Sequence, residues 1–246
     1  MPKVVTLLDE TSVERVLVVI AHPDDAEFWA AGTIAQWTDA GAALTYCVLT
    51  DGENGSHDLD IPREEIPAVR REEQRKAAGL LNVSSVHFMG LNEGLIDLAS
   101  RELHEHLVRI IRQVRPQRVV TWSPERNWAR FRSCHPDHLA VGEATLRAIY
   151  PDAGNRLALR SLYGDEGLDG WTVGEAWLFN SPRVNRYVDI TGTFTRKATA
   201  VAAHHSQVGN RRDLARELRA RAAAIAAEGA LPGGRLAEAF QVVTTG

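Results

Sequence analysis

His22, Asp24 and Asp25 fall within the run Ile20-Ala21-His22-Pro23-Asp24-Asp25-Ala26-Glu27. An imidazole and two carboxylates at this spacing, stiffened by Pro23, can offer one nitrogen and one oxygen to a metal and leave a second carboxylate free. That is most of a hydrolytic site. A protein-bound cation needs at least one more ligand, and the comparable cluster lies far downstream, at Cys134-His135-Pro136-Asp137-His138. Helix capping alone would explain Asp and Pro at helix starts. It does not explain a repeated His-Pro-Asp unit, nor the additional Asp25 and His138.

The elements around these clusters must bring them together. Arg15 to Ile20 is β-branched and apolar, as suits a strand buried on both faces, and the first cluster begins where it ends. A helix over 26–40 stopped by Gly41, a strand over 44–50, a helix from 63 or 68 to 81, a short strand at 86–89 and a helix over 103–114 follow. Strand 118–122 feeds the loop 123–133, which delivers the second cluster, and His138 opens a helix through 149. The segment 151–174 is irregular. A strand at 175–179, an edge strand at 184–190 and helices over 194–207 and 210–227 come next, and 239–243 forms a short strand or tail. Alternating strands and helices imply an α/β fold, a Rossmann-like three-layer sandwich with a mostly parallel sheet. Both clusters then lie at the C-terminal ends of strands, where open α/β sheets bind ligands.

The 246 residues, 44% hydrophobic and 24% charged, have ordinary globular composition. With no low-complexity stretch or repeat to mark a boundary, one domain over 1–246 is expected, its residues 1–12 a loose arm and 57–62 a flap. A net charge of −4 without blocks of like charge argues against a nucleic-acid partner. Apolar runs no longer than a strand argue against a membrane partner, so a cytoplasmic location is the default. There is no Gly-x-Gly-x-x-Gly or Walker-type sequence for a nucleotide. Cys47 reads as buried filler, and Cys134 as a packed thiol rather than a ligand.

The motif Ala21 to Glu27, together with His135-Pro136-Asp137-His138, resembles the PIG-L/LmbE-like zinc-dependent deacetylases. Lesser similarities run through Thr50 to Gly55, Arg70 to Glu73, Val188 to Thr191 and His204 to Gln207. The resemblance implies an amide hydrolase that removes the acyl group from an N-acetylglucosamine-type amine, and a homo-oligomer is a separate expectation left open. It implies His22, Asp25 and His138 as ligands of one Zn2+ per chain, with Fe2+ or another divalent metal as the alternative. Two histidines and a carboxylate equally suit non-haem iron, and hence an oxidoreductase. Asp24 favours a hydrolase, which needs a base for the attacking water. A metal- or sugar-binding module without catalysis would need neither Asp24 nor His135. The resemblance makes His135 the acid, with Asp137 orienting it and favouring its charged form. It also places Glu53, Arg70 and Gln207 at the substrate, while Glu93 departs from the usual Asp-Gly there. Glu27 reads as holding a ligand or as a helix-face ion pair.

One feature lies outside the resemblance. Arg126, Arg130 and Arg132 crowd the loop before His135, with Trp128 and Phe131 between them. As a substrate contact, Arg132 or a neighbour would bind an anionic group on the leaving amine. As solvated surface, the three would pair with Glu125 or other acids.

Overall fold

A computed structural model describes residues 8–56 and 60–246, the Thr11 side chain excepted; residues 1–7 of the expected arm and 57–59, the first half of the expected flap, lie outside the described residues. Seven strands form one sheet in the order β3-β2-β1-β4-β5-β7-β6. They are β1 Arg15–Ile20, β2 Ala43–Thr50, β3 Ser85–Leu91, β4 Arg118–Trp122, β5 Glu175–Phe179, β6 Arg186–Asp189 and β7 Ala237–Thr244. The first five are parallel, and β7 runs antiparallel to both β5 and β6.

The helices are α1 Asp25–Asp39, α2 Ile66–Leu80, α3 Arg101–Val114, α4 Pro136–Arg147, α5 Arg160–Gly164, α6 Phe194–Ala202, α7 His205–Val208 and α8 Leu214–Glu228. α1, α2, α6 and α8 pack in one layer, α3 and α4 in the other. Val16 to Ile20 are wholly buried, as an apolar strand covered on both faces must be.

One open alternative closes and two expectations change. The segment expected as a tail or short strand is β7, which lies inside the sheet between β5 and β6. The helix expected over 194–207 breaks into α6 and α7. Residues 8–12 are not a loose arm: the Leu8 amide donates to Glu175, and Glu10 pairs with Arg118 at 3.0 Å. Arg118 is fully buried, so this pair, with Glu175 Oε2 at 2.9 Å, supplies the countercharge that burial requires.

β1 is flanked by β2 on one side and β4 on the other, so the connections reverse direction between β1 and β4. A crevice opens at such a switch point, and residues 21–25 and 123–138 enter it from the two strand ends. α4 approaches β4 closely because Gly142 lacks a side chain: a Cβ there would stand 2.3 Å from the Trp122 carbonyl oxygen and 3.0 Å from the Pro124 nitrogen. Gly142→Ala must therefore push α4 outward. Overpacking of this kind costs about 1–3 kcal/mol, and denaturant unfolding should show a loss of that order.

Candidate active site

Pro23 and Asp24 make the turn from β1 into α1. Asp24 has φ 103° and ψ −23°, a left-handed conformation that a non-glycine residue holds only when its surroundings impose it. Two side chains of α2 impose it here. Gln74 Oε1 accepts from the Asp24 amide at 2.9 Å, and Arg70 Nη2 donates to the Pro23 carbonyl at 2.6 Å. Arg70 also donates to the Gly52 carbonyl at 2.8 Å and stands 3.3 Å from Asp24 Oδ2. A Cβ on Gly52 (φ 64°) would stand 1.9 Å from this guanidinium. The Asp24 carboxyl is held above its ordinary value, chiefly by burial, with Asp25 adding to the rise and Arg70 opposing it.

Asp25 is the opposite case. Its Oδ2 accepts from the amides of Ala21 (3.1 Å) and His22 (3.0 Å) and from Trp122 Nε1 (2.9 Å). Burial would raise its pKa, but His138, His22 and these donors outweigh burial and hold it far below the ordinary range. Oδ1 remains, 3.3 Å from His138 Nε2.

In their neutral forms both histidines turn an unprotonated nitrogen toward the Asp25 carboxylate. His138 Nδ1 donates to the Ser133 carbonyl at 3.0 Å, so the neutral ring keeps its lone pair on Nε2. His22 Nε2 donates to Asp137 Oδ2 at 3.2 Å, so its lone pair is on Nδ1, 3.1 Å from His138 Nε2. Two lone pairs and a carboxylate oxygen converging in a buried place repel one another unless a proton or a cation lies between them. His22, Asp25 and His138 are thus a donor set that fits a divalent cation, their ligand atoms all within 4.8 Å of one another. The ring of Trp122 stacks on His138, 3.6 Å between centroids and 8° between planes, and fixes its orientation.

His135 caps α4, its Nδ1 accepting from the Asp137 amide at 3.2 Å. The proton of the neutral ring is therefore on Nε2. Asp137 orients His135 through its amide rather than its carboxylate, and its charge favours the protonated ring without prevailing over burial. Asp137 Oδ2 serves His22 and the Gly94 amide (2.7 Å), and lies 3.8 Å from His135 Nδ1. Burial and the neighbouring His22 hold His135 below its ordinary pKa, against the pull of Asp137.

The residues expected at the substrate lie around this centre and are mostly engaged with one another. Arg70 is buried beneath the motif. Glu53 Oε1 accepts from the Glu93 amide at 2.7 Å and Glu93 Oε2 from the Asn54 amide at 2.8 Å, which latches two loops together. Glu93 Oε1 stands 3.9 Å from His22 Nε2, closer to the centre than Glu53's partners required. Gln207 Nε2 donates to the Gly55 carbonyl at 2.7 Å and so holds the same loop from α7. Arg132 is exposed and has no hydrogen bond or ion pair among the described residues. Cys134 is buried against Asn127, and Cys47 lies in β2, neither with the donor set.

Glu27 is wholly buried and holds no ligand of the donor set. It accepts from Gln74 Nε2 at 3.0 Å and His204 Nε2 at 3.1 Å. Burial lowers the His204 pKa, but the hydrogen bond and charge of Glu27 reverse this, and the net shift is upward from 6.5. A raised folded-state value means that the pair stabilises fully below pH 6.5 and loses its contribution as pH rises through the folded-state pKa. The unfolding free-energy gap between wild type and His204→Gln should therefore narrow from pH ~6 to pH ~9, as expected from this linkage. A gap independent of pH would mean that folding leaves the His204 pKa unshifted.

A family model described as PIG-L, GlcNAc-PI de-N-acetylase, matches residues 17–149, which contain every member of both clusters. The chain belongs to the PIG-L family. It is 32% identical to the diacetylchitobiose deacetylase of Thermococcus kodakarensis over 79% of this chain and 70% of that one. It is 31% identical to a probable N-acetyl-alpha-D-glucosaminyl L-malate deacetylase 2 of Bacillus cereus, over 78% and 83% of the two chains. The structure of the N,N'-diacetylchitobiose deacetylase from Pyrococcus horikoshii superposes with a TM-score of 0.83 at 25% identity, covering 94% of this chain and 84% of that one.

Trp122 and Gln74 are the parts of this PIG-L centre that sequence reasoning missed. The signal for Trp122 was its place as the last residue of a strand whose C-terminal end faces the crevice, where an indole N–H is available to a carboxylate. Gln74 gave none, since one amide among many on a polar helix face is silent.

Proposed function

We propose that the chain is a metal-dependent amide hydrolase that deacetylates an N-acetylglucosamine-type amine, its residues 1–246 forming one deacetylase domain. The observation that carries this reading is the convergence of three lone pairs from His22, Asp25 and His138 beside a separate, burial-raised carboxyl on Asp24. Names of relatives that act on acetylated amino sugars support the substrate class.

His22, Asp25 and His138 would hold a zinc ion or another divalent metal, which would supply a Lewis acid for the amide carbonyl and a lowered pKa for water. Asp24 takes the proton from the attacking water, and its raised pKa brings it nearer to that task at neutral pH. His135, neutral with its proton on Nε2, donates a hydrogen bond from it to the developing oxyanion, and Asp24 passes the proton it took from water on to the leaving amine. Asp137 fixes the tautomer of His22 and thereby aims Nδ1. Arg70 and Gln207 act by holding the turn at Asp24 and the loop at Gly55, Glu53 by latching that loop to Glu93, and Arg132 is the one free to meet an anionic group.

The test is amine release from a panel of N-acetylated amino sugars, with metal content measured on the same preparation. Release that requires one equivalent of divalent metal supports the reading. A fully loaded protein that releases no amine from any member, but consumes oxygen, would replace it with an iron oxidoreductase. No described helix is long and apolar enough to cross a membrane.

A further inference from the structure

A cavity of about 570 Å³ lies between α8 and the β5-β7-β6 end of the sheet, closed on one side by residues 126–130. Small residues make the room: Ala222 on α8 faces Ala237 and Ala239 on β7. A void of this size is far larger than the packing gaps of protein interiors and falls in the range of small-molecule sites. It contains none of the residues assigned above to catalysis or to the metal.

Its charge is unbalanced. Lys197 is neutralised by Glu238 at 2.6 Å, and Arg130 stands 3.5 Å from Glu228. Arg221 has no such partner. Its guanidinium lies over the face of Trp29, 3.9 Å from the ring centroid, and makes no hydrogen bond or ion pair among the described residues. Arg126 also lacks an acid, with one donor on the Cys134 carbonyl at 3.3 Å and its guanidinium near Trp128 and Phe131. A guanidinium stacked by its face on an aromatic ring keeps its edge, the side that forms paired hydrogen bonds with a carboxylate, free.

We propose that this cavity binds a planar aryl carboxylate, with Arg221, braced on Trp29, and Arg126 on the carboxylate and the apolar wall of α8 against the rings. Burial lowers the Arg221 pKa to about 10 and Arg130 adds to this, so the guanidinium is charged at neutral pH in a place where an anion is the missing partner. The loop that closes the cavity runs on to Ser133, whose carbonyl orients His138. An occupant therefore stands one loop away from the metal ligands.

Calorimetric titration with 2-naphthoate and its neutral isostere 2-naphthamide tests this on the whole protein. Wild type should bind naphthoate at least about tenfold more tightly, as a charged hydrogen-bond pair of ~1.5–3 kcal/mol requires. Arg221→Met should abolish the preference, Arg221→Lys should retain part of it, and Ala222→Phe should weaken both ligands. Asp24→Asn should bind as wild type, which separates this site from the hydrolase reading. If Arg221→Met is unfolded by thermal melting, Arg126→Met carries the same expectation. Equal affinity for the two ligands, no binding of either, or a preference that survives loss of the guanidinium would overturn the proposal.

Discussion

Asp24→Asn is expected to keep the fold and the metal and to lose about 10²–10⁴-fold in kcat, the usual contribution of a general base. Asparagine is nearly isosteric with aspartate and tolerates positive φ, so the turn at φ 103° should survive the exchange. The backbone bonds from Gln74 and Arg70 do not involve the Asp24 side chain, and Asp24 is not in the converging donor set. Replacing a buried carboxylate by an amide removes charge from an unfavourable place, so stability should change little. The decisive measurement is metal content by mass spectrometry beside kcat. A metal-free Asp24→Asn protein would mean that Asp24, not Asp25, is the ligand.

His138→Ala and Asp25→Ala should both abolish metal retention through dialysis, and activity with it. His135→Ala should keep the metal and lose activity alone. The contrast follows from hydrogen bonding. His138 Nδ1 is committed to Ser133, which leaves Nε2 for the cation, whereas His135 Nδ1 is committed to the backbone of its own helix and its Nε2 carries a proton. Trp122→Phe removes a donor to Asp25 and keeps a ring on His138, so it should weaken metal affinity about 10–100-fold without abolishing it, as loss of an outer partner typically does. Equal metal content in the His135 and His138 variants would dissolve the assignment.

The crevice and its two clusters were legible because each cluster is contiguous in sequence and follows an apolar strand whose neighbours alternate with helices. Contiguity fixes distance: His22 and Asp25 cannot separate. What was not legible depends on side chains arriving from elsewhere. Arg70 read as a substrate contact because a long cation on a helix can point several ways, and only the packed position of α2 shows it buried against Pro23 and Gly52. Asp137 stands two residues from His135 in sequence, yet its carboxylate reaches across to His22, 115 residues away. Arg221 was invisible among the arginines of α8, since an amphipathic helix does not announce which cation faces a cavity. β7 reads as no more than a short strand or tail because its eight residues carry no sign of the strands on either side.

The position of β7 orders events during synthesis. β6 emerges from the ribosome before β7, yet β7 is the strand to which it pairs. Until β7 arrives, β6 has no ladder to join, and β5 shows an open edge that other chains could occupy. β7 also brings Glu238, which accepts from the amides of Gly32 and Thr33 in α1, the helix that begins at Asp25. A nascent chain can therefore hold both histidine clusters before the helix behind the first of them is locked. Its capacity to take up metal should lag behind the appearance of the residues that bind it, and translation stalled before Ala237 is the point at which aggregation through the β5 edge should be greatest.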